Sequence, residues 1–199
     1  MRIIAGAYKG RRLATPRGAT TRPTADQVRT ALLDTLMPWL PEARLLDLFA
    51  GAGGAGLEAL SRGAAHATFV ERDARAVQAL RANVTTLGVE AAARIVRDDV
   101  RHALQTLSRD GGRFHVVFLD PPYEGDDGTT TLEALAGLDL LADGGVVVAQ
   151  HLTKRAPPPS VGALAAFRTR RFGETTLTFF RRDPPGAGGP ERSAPPPDA

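Results

Sequence analysis

The chain has no cysteine, which excludes disulfides and the thiolate zinc sites that hold many small folds together. Its four histidines, His66, His102, His115 and His151, are scattered without ligand spacing, so no metal centre is expected. No apolar run approaches the roughly 20 residues a membrane helix needs, and the N-terminus lacks the apolar core of a secretory signal. These absences point to a cytoplasmic protein with no membrane association. Lysine is almost missing as well, with only Lys9 and Lys154 among 25 basic residues. What remains is a chain of 199 residues, 43% hydrophobic, enough for one domain with a sizeable core.

The net charge of +3 is unevenly placed. Residues 1–30 hold seven bases, Arg2, Lys9, Arg11, Arg12, Arg17, Arg22 and Arg29, against one acid, Asp26, for a local charge of +6. Residues 31–182 come to −1 and residues 183–199 to −2. A basic arm on a near-neutral body suggests a polyanionic partner.

Short strands are expected at 2–5 and 12–15, around Gly6 and Gly10, as a small hairpin. A helix then begins at Thr24, where Thr24 and Gln27 have capping-box spacing. Val28, Ala31, Leu32, Thr35 and Leu36 mark its apolar face, Arg29 points away from that stripe, and Pro38 ends it. From residue 43 strand and helix alternate. Strands are expected at 45–50, 67–71, 93–97, 114–119 and 146–150, and the last intervening helix at 129–141. Asp73 can cap the helix after the second strand and Gly88 can stop it. Such alternation builds a parallel sheet covered by helices on both faces. Near the end, 167–172 and 175–181 flank Gly173 and Glu174 and read as an antiparallel hairpin. The Pro-rich tail after Asp183 is expected to be disordered. The division is a basic extension at 1–41, an α/β domain at 42–182 and a tail at 183–199.

Two motifs carry chemistry. The expected fourth strand runs straight into Asp120, Pro121, Pro122 and Tyr123, and open α/β sheets bind ligands outside the carboxyl ends of their strands. Asp120 can accept protons from an exocyclic amino group. The Pro121–Pro122 segment fixes a backbone carbonyl as a second acceptor, and Tyr123 offers a face on which a base can stack. The first strand runs into Gly51, Gly53 and Gly56, a G-x-G-x-x-G loop, and Glu71 ends the second strand 20 positions beyond Gly51. A carboxylate there can accept both hydroxyl protons of a ribose, a geometry that serves NAD and S-adenosylmethionine alike. Asp47 and Phe49, just before the glycines, join the cofactor candidates. So does Asp99 after the third strand, where an adenine amino group could reach it, although one of Asp98 and Asp99 is expected to cap a helix. A nucleoside loop and an amino-binding tetrapeptide facing one crevice favour S-adenosylmethionine over NAD, since a methyl donor and its acceptor would then lie side by side.

The glycine loop, Glu71 and Asp120 to Tyr123 resemble the class I methyltransferases that act on exocyclic amino groups. Arg2-Ile3-Ile4-Ala5-Gly6, Lys9-Gly10-Arg11, Arg22-Pro23-Thr24 with Arg29, and Gly56-Leu57-Glu58-Ala59-Leu60-Ser61-Arg62-Gly63-Ala64 narrow the resemblance to the RsmD family over about residues 2–182. The resemblance implies a Rossmann-like class I methyltransferase fold, a mostly parallel seven-stranded sheet with a C-terminal antiparallel hairpin. It implies methylation of the N2 amino group of a guanine in 16S ribosomal RNA, within the small subunit or its assembly intermediate, by a monomer. It also implies that Gly51, Gly53 and Gly56 wrap the methionine moiety and that Glu71 holds the ribose and Asp99 the adenine. Thr24 would touch the cofactor, and Asp120, Pro121, Pro122 and Tyr123 would hold the guanine. Lys9, Arg11, Arg12, Arg22 and Arg29 would meet the RNA. Gly54-Ala55 departs from the family, whose members usually carry a larger residue there. A DNA amino-methyltransferase, an NAD-dependent oxidoreductase and a non-catalytic RNA-binding module are the alternatives.

Overall fold

Apolar strand residues alternate between two hydrophobic clusters, one on each face of a single sheet. In the strand Phe114–Leu119, Val116 and Phe118 join one cluster and Val117 and Leu119 the other. This period-two split is what a sheet covered on both faces demands. The computed structural model describes residues 1–16, 23–122 and 127–182, with backbone alone for residues 23–25. Arg22, Tyr123, the side chain of Thr24 and the tail 183–199 lie outside the described residues.

The helix α1 (Pro23–Leu36) precedes β1 (Arg44–Leu48), α2 (Gly54–Ser61), β2 (His66–Val70), α3 (Ala74–Leu87), β3 (Ala93–Val96), α4 (Val100–Arg109), β4 (Phe114–Leu119), α5 (Asp127–Ala136) and β5 (Leu141–Leu152). The antiparallel end follows as β6 (Ser160–Val161), β7 (Leu164–Phe172) and β8 (Thr175–Arg182). The order across the sheet is β3-β2-β1-β4-β5-β8-β7-β6. The first five strands are parallel and the last three pair antiparallel. Helices α1, α2 and α3 cover one face and α4 and α5 the other. The chain reverses its direction of travel across the sheet between β1 and β4, and the crevice at such a switch point is where doubly wound folds bind ligands.

The sheet has eight strands where seven were expected. The extra one, β6, has two residues and pairs only with Leu164 and Ala165. Pro157 to Pro159 precede it and have no N–H to extend the ladder. Helix α5 ends at Ala136 rather than at 141, because Gly137 breaks it and Leu140 turns back to accept from the Phe114 N–H. Strand β5 starts earlier than expected, at Leu141, with a register shift opposite Phe114/Val116 that accommodates Gly144 and Gly145.

The N-terminal hairpin forms around the Arg2–Arg12 bridge, with the Ile3 N–H donating to the Arg11 carbonyl, the Gly10 N–H to the Ile3 carbonyl and the Leu13 N–H to the Met1 carbonyl. Its edge is bonded as well. Ile4 and Ala5 donate their N–H groups to the two carboxylate oxygens of Glu58 at 2.8 and 2.9 Å, and Ala14 donates to Asn83 Oδ1. Ser61 accepts from the Tyr8 and Ala7 N–H groups and donates to the Ala5 carbonyl. The arm is thus strapped along α2, with Ile3 and Leu13 buried in the same cluster as α1, α2 and α3.

Candidate active site

The site begins where β1 gives way to α2. Phe49 has φ 65°, Gly51 55° and Gly53 87°. A non-glycine residue in the left-handed region costs of order 1–3 kcal/mol and is held there only by its surroundings. The holding bonds are visible: the Gly51 N–H donates to Glu71 Oε2 at 2.8 Å and the Asp73 N–H to Glu71 Oε1 at 2.8 Å. Glu71 thereby braces the loop while keeping a second lone pair on each oxygen for a ligand hydroxyl. The three glycines divide their work. A Cβ on Gly56 would overlap the Phe69 ring and one on Gly53 would overlap Leu80, whereas Gly51 faces open space. Gly53 and Gly56 are packing glycines that seat α2 on the sheet; Gly51 is the one that leaves room for a ligand.

Asp47 lies in β1 with 2% of its surface exposed. Its Oδ2 accepts from the Gly56 N–H at 3.0 Å, so it fixes the start of α2 from behind. Burial, offset by that hydrogen bond, together with the nearby charges of Asp120 and Glu71, pushes its carboxyl up to about 7. Neither it nor Gly51, Gly53 and Gly56 is on the cavity wall, to which this loop contributes Phe49. Asp47, Gly53 and Gly56 support the loop and the start of α2 from behind.

Beside this loop, Asp120 follows β4. Leu48 of β1 is in register with Leu119 of β4, so Phe49 and Asp120 leave neighbouring strands at the same level. Burial pushes the Asp120 carboxyl up to about 7, and among the described residues no hydrogen bond reaches its oxygens. Pro121 is buried and Pro122 exposed behind it.

One cavity of about 1070 Å³ joins these pieces, with Phe49, Glu71, Asp98, Asp99, Asp120, Pro121 and Pro122 on its walls. Single-ligand pockets run from roughly 300 to 1,000 Å³, so this one has room for a nucleoside cofactor and a base together. Asp99 caps α4, accepting from the Arg101 N–H at 3.0 Å. Asp98 pairs with His102, a bond that holds its carboxyl below the usual range. The structure also brings residues that the sequence did not single out. Gln27 and Val28 of α1, Gln150 near the end of β5, and the hairpin turn Phe172–Thr175 complete the walls. Gln150 carries the same signal as Asp120, a polar residue closing an apolar strand run; the hairpin turn carries none.

The basic residues separate. Lys9, Arg11 and Arg12 are exposed on the arm. Arg29, expected at the RNA surface, is instead buried at 9% exposure. Its guanidinium donates to the Arg2 carbonyl at 2.9 Å and pairs with Asp26 at 3.0 Å. The arm occupies the flank of α1 that helical periodicity reads as outward.

Comparison with known proteins bears on this arrangement. The family model described as "Conserved hypothetical protein 95" matches residues 1–181. YlbH of Bacillus subtilis (strain 168) is 37% identical over 182 residues, spanning 92% of this chain and 99% of its own. Ribosomal RNA small subunit methyltransferase D of Escherichia coli (strain K12) is 34% identical over 186 residues, spanning 94% of this chain and 92% of its own. The solved structure of yhhF from Escherichia coli has 34% identity and a TM-score of 0.79, covering 92% of this chain and 98% of that one.

Proposed function

From the premise that the chain belongs to the family described as "Conserved hypothetical protein 95", the RsmD family, which matches residues 1–181, we propose that it transfers a methyl group from S-adenosylmethionine to the N2 amino group of a guanine in 16S ribosomal RNA. The observation that carries the chemistry is the juxtaposition of Asp120 with Phe49 and Glu71 on the walls of one cavity at the β1–β4 switch point. The residues fit the cofactor. Glu71 keeps free lone pairs for ribose hydroxyls, Gly51 leaves open space beside the loop, and Asp98 and Asp99 stand where an adenine edge can be read.

S-adenosylmethionine supplies an electrophilic methyl group on a sulfonium. The chain's task is to make a poor nucleophile presentable, because the guanine N2 lone pair is delocalised into the ring. Asp120 accepts one amino proton, and a backbone carbonyl of the Pro121–Pro122 segment accepts the other. Both bonds draw the nitrogen toward a pyramidal geometry in which its lone pair is available. Tyr123 gives the base a face to stack on. Such positioning can be worth roughly 7–11 kcal/mol of barrier.

One proton must leave the nitrogen for every methyl gained. A carboxylate of ordinary pKa, about 3.9, is a weak base for this. Burial brings Asp120 to about 7, close to the working pH, where an acid–base group is most effective. Even so it is far too weak to ionise a neutral aryl amine, so the proton passes to it only as the new N–C bond forms.

The remaining parts of the reading are coarser. The exposed Lys9, Arg11 and Arg12 bind phosphates, the substrate is the small subunit or its assembly intermediate, and the enzyme acts as a cytoplasmic monomer. Among the described residues no helix is long and apolar enough to cross a membrane. The test is methyl incorporation into small-subunit particles from a strain lacking the gene, with the product mapped by mass. N2-methylguanosine at one site of 16S RNA is the expected outcome. Methylated adenine or cytosine in duplex DNA, with none in the particle, would overturn it.

A further inference from the structure

The C-terminal hairpin carries a second basic surface outside the arm. Residues 164–182 hold five arginines, Arg168, Arg170, Arg171, Arg181 and Arg182, and one acid, Glu174. Cross-strand register places Arg168 opposite Phe179 and Arg170 opposite Leu177, both in the cluster beneath α1. Arg168 and Arg170 therefore share the α1 face of the sheet. Arg181 joins them, its guanidinium 5.5 Å from the centroid of Phe167. Arg170 donates to Thr35 of α1 at 2.8 Å. Among the described residues none of Arg168, Arg170 and Arg181 has a carboxylate partner. The two acids of α1 cannot supply one, because Asp26 is held by Arg29 and Asp34 by Arg62.

An edge strand needs charge to deter pairing with another copy, and beyond Ala166 the outer side of β7 is such an edge. That need is indifferent to sign. It does not explain a strand whose every charge is positive, left unneutralised, and interleaved with Phe167 and Phe172. The row also has two ends with meaning. Phe172 lies on the wall of the cavity that holds Asp120. At the other end Phe167, Arg181 and Trp39 line a separate hollow of about 510 Å³. Alternate residues of a strand are about 6.6 Å apart, so Arg168, Arg170 and Phe172 form a regular ladder from one site to the other. Aromatic faces between unpaired cations are the means by which proteins hold unpaired nucleotides.

We propose that the α1 face of β7 is the track for the RNA strand flanking the target nucleotide, with Arg168, Arg170 and Arg181 on its phosphates and the Phe167–Trp39 hollow receiving a base beyond the cleft. This rests on the reading of the cavity as an rRNA methylation site.

The experiment compares wild type with Arg168→Gln, Arg168→Gln/Arg181→Gln and Arg168→Glu/Arg181→Glu. Filter binding to protein-free 16S RNA is measured over a salt series, and methyl-transfer kinetics are measured on small-subunit particles. Melting temperature and cofactor affinity by calorimetry establish that each variant is folded. Each neutralised contact should flatten the slope of log K against log salt by about 0.7–0.9. The double Gln variant should raise KM about tenfold with kcat within twofold. The Glu variant, which keeps the edge charged, should bind more than a hundredfold more weakly. An unchanged salt slope and KM in the double Gln variant, or RNA binding by the Glu variant equal to wild type, would overturn the track. Binding lost on particles but kept on naked RNA would also overturn it, by assigning the surface to a protein of the particle. If wild type transfers no methyl to rRNA, the functional reading fails on that result alone, and the salt slopes still decide whether RNA follows β7.

Discussion

The two sides of the crevice are built differently. On the β1 side the polar groups are already bonded within the protein: Asp47 to the Gly56 N–H, Glu71 to the Gly51 and Asp73 N–H groups, and Asn83 to Ala14 and Ala52. On the β4 side Asp120 has no partner among the described residues, and its carboxyl is pushed up to about 7. A site whose hydrogen bonds are made in advance holds its shape before its ligand comes. A half-buried acceptor on a cavity wall, without donors from the protein, gains them when a substrate brings them. The cofactor side is thus pre-shaped, and the acceptor side waits for the amino group.

The sharpest way to break this contrast is at Asp120. Asp120→Ala or Asp120→Asn should lower kcat by at least about 10³-fold, within the range of acid–base groups, while calorimetry finds cofactor affinity unchanged. Weakened cofactor binding with normal turnover at saturation would move Asp120 to the wrong side. In the wild type kcat/KM should fall about tenfold per pH unit below about 7, because an Asp120 already protonated cannot take up the proton that the amine must lose. A profile flat down to pH 5 would contradict that.

Glu58 tests the mechanical side. It is fully buried and joins the arm to α2 and Arg62. Glu58→Ala removes the buried partner of Arg62, leaving it the exposed Asp34 alone, and strands two N–H groups; it should cost about 3–5 kcal/mol, roughly 10 °C of melting temperature. Loss of stability should exceed loss of kcat in the fraction that stays folded.

Tyr123→Ala should cost about 1–3 kcal/mol of substrate binding, with Tyr123→Phe near wild type; equal losses in the two would remove the stacking role.

Asp47 gives the smallest effect. Its folded-state carboxyl lies at about 7, above its ordinary 3.8, so the native state binds the extra proton. Its relative stabilisation is complete below about 3.8 and is lost as pH rises through about 7. Asp47→Asn keeps an acceptor for Gly56 and removes that loss, so it should raise the melting temperature at pH 8 by roughly 4–8 °C, about 2 kcal/mol, and give no gain at pH 4. A gain at both pH values would point to a cause other than its charge.

The parallel strands and both motif loops were legible because polar residues there interrupt apolar runs abruptly: Asp120 after Leu119, and Glu71 after Val70. Asp73 and Gly88 were legible as helix stops, and the structure uses both, with Asp73 accepting from the Arg75 and Ala76 N–H groups and Gly88 at φ 69°. What stayed hidden depends on contacts distant in sequence. Nothing local marks Glu58 as the anchor of a strand 53 positions away. Arg29 sits on the outward side of α1 by periodicity and is buried only because the arm folds over it. Asp47 and Gly56 read as ligand residues because their spacing matches a binding loop; that Asp47 also accepts from the Gly56 N–H, and that Gly56 lies against the Phe69 ring, spacing does not show. The raised carboxyl of Asp120 was also invisible, since it comes from burial in the folded state.

A complex with S-adenosylhomocysteine and a 16S RNA fragment tests the shared crevice most directly. The expected result is the thioether sulfur near the Phe49–Glu71 loop and a flipped guanine whose N2 lies within hydrogen-bond distance of Asp120, the nitrogen facing the sulfur across a gap that one methyl group spans. A base held elsewhere, with Asp120 untouched or the thioether turned away from it, would contradict the assignment of the two sides.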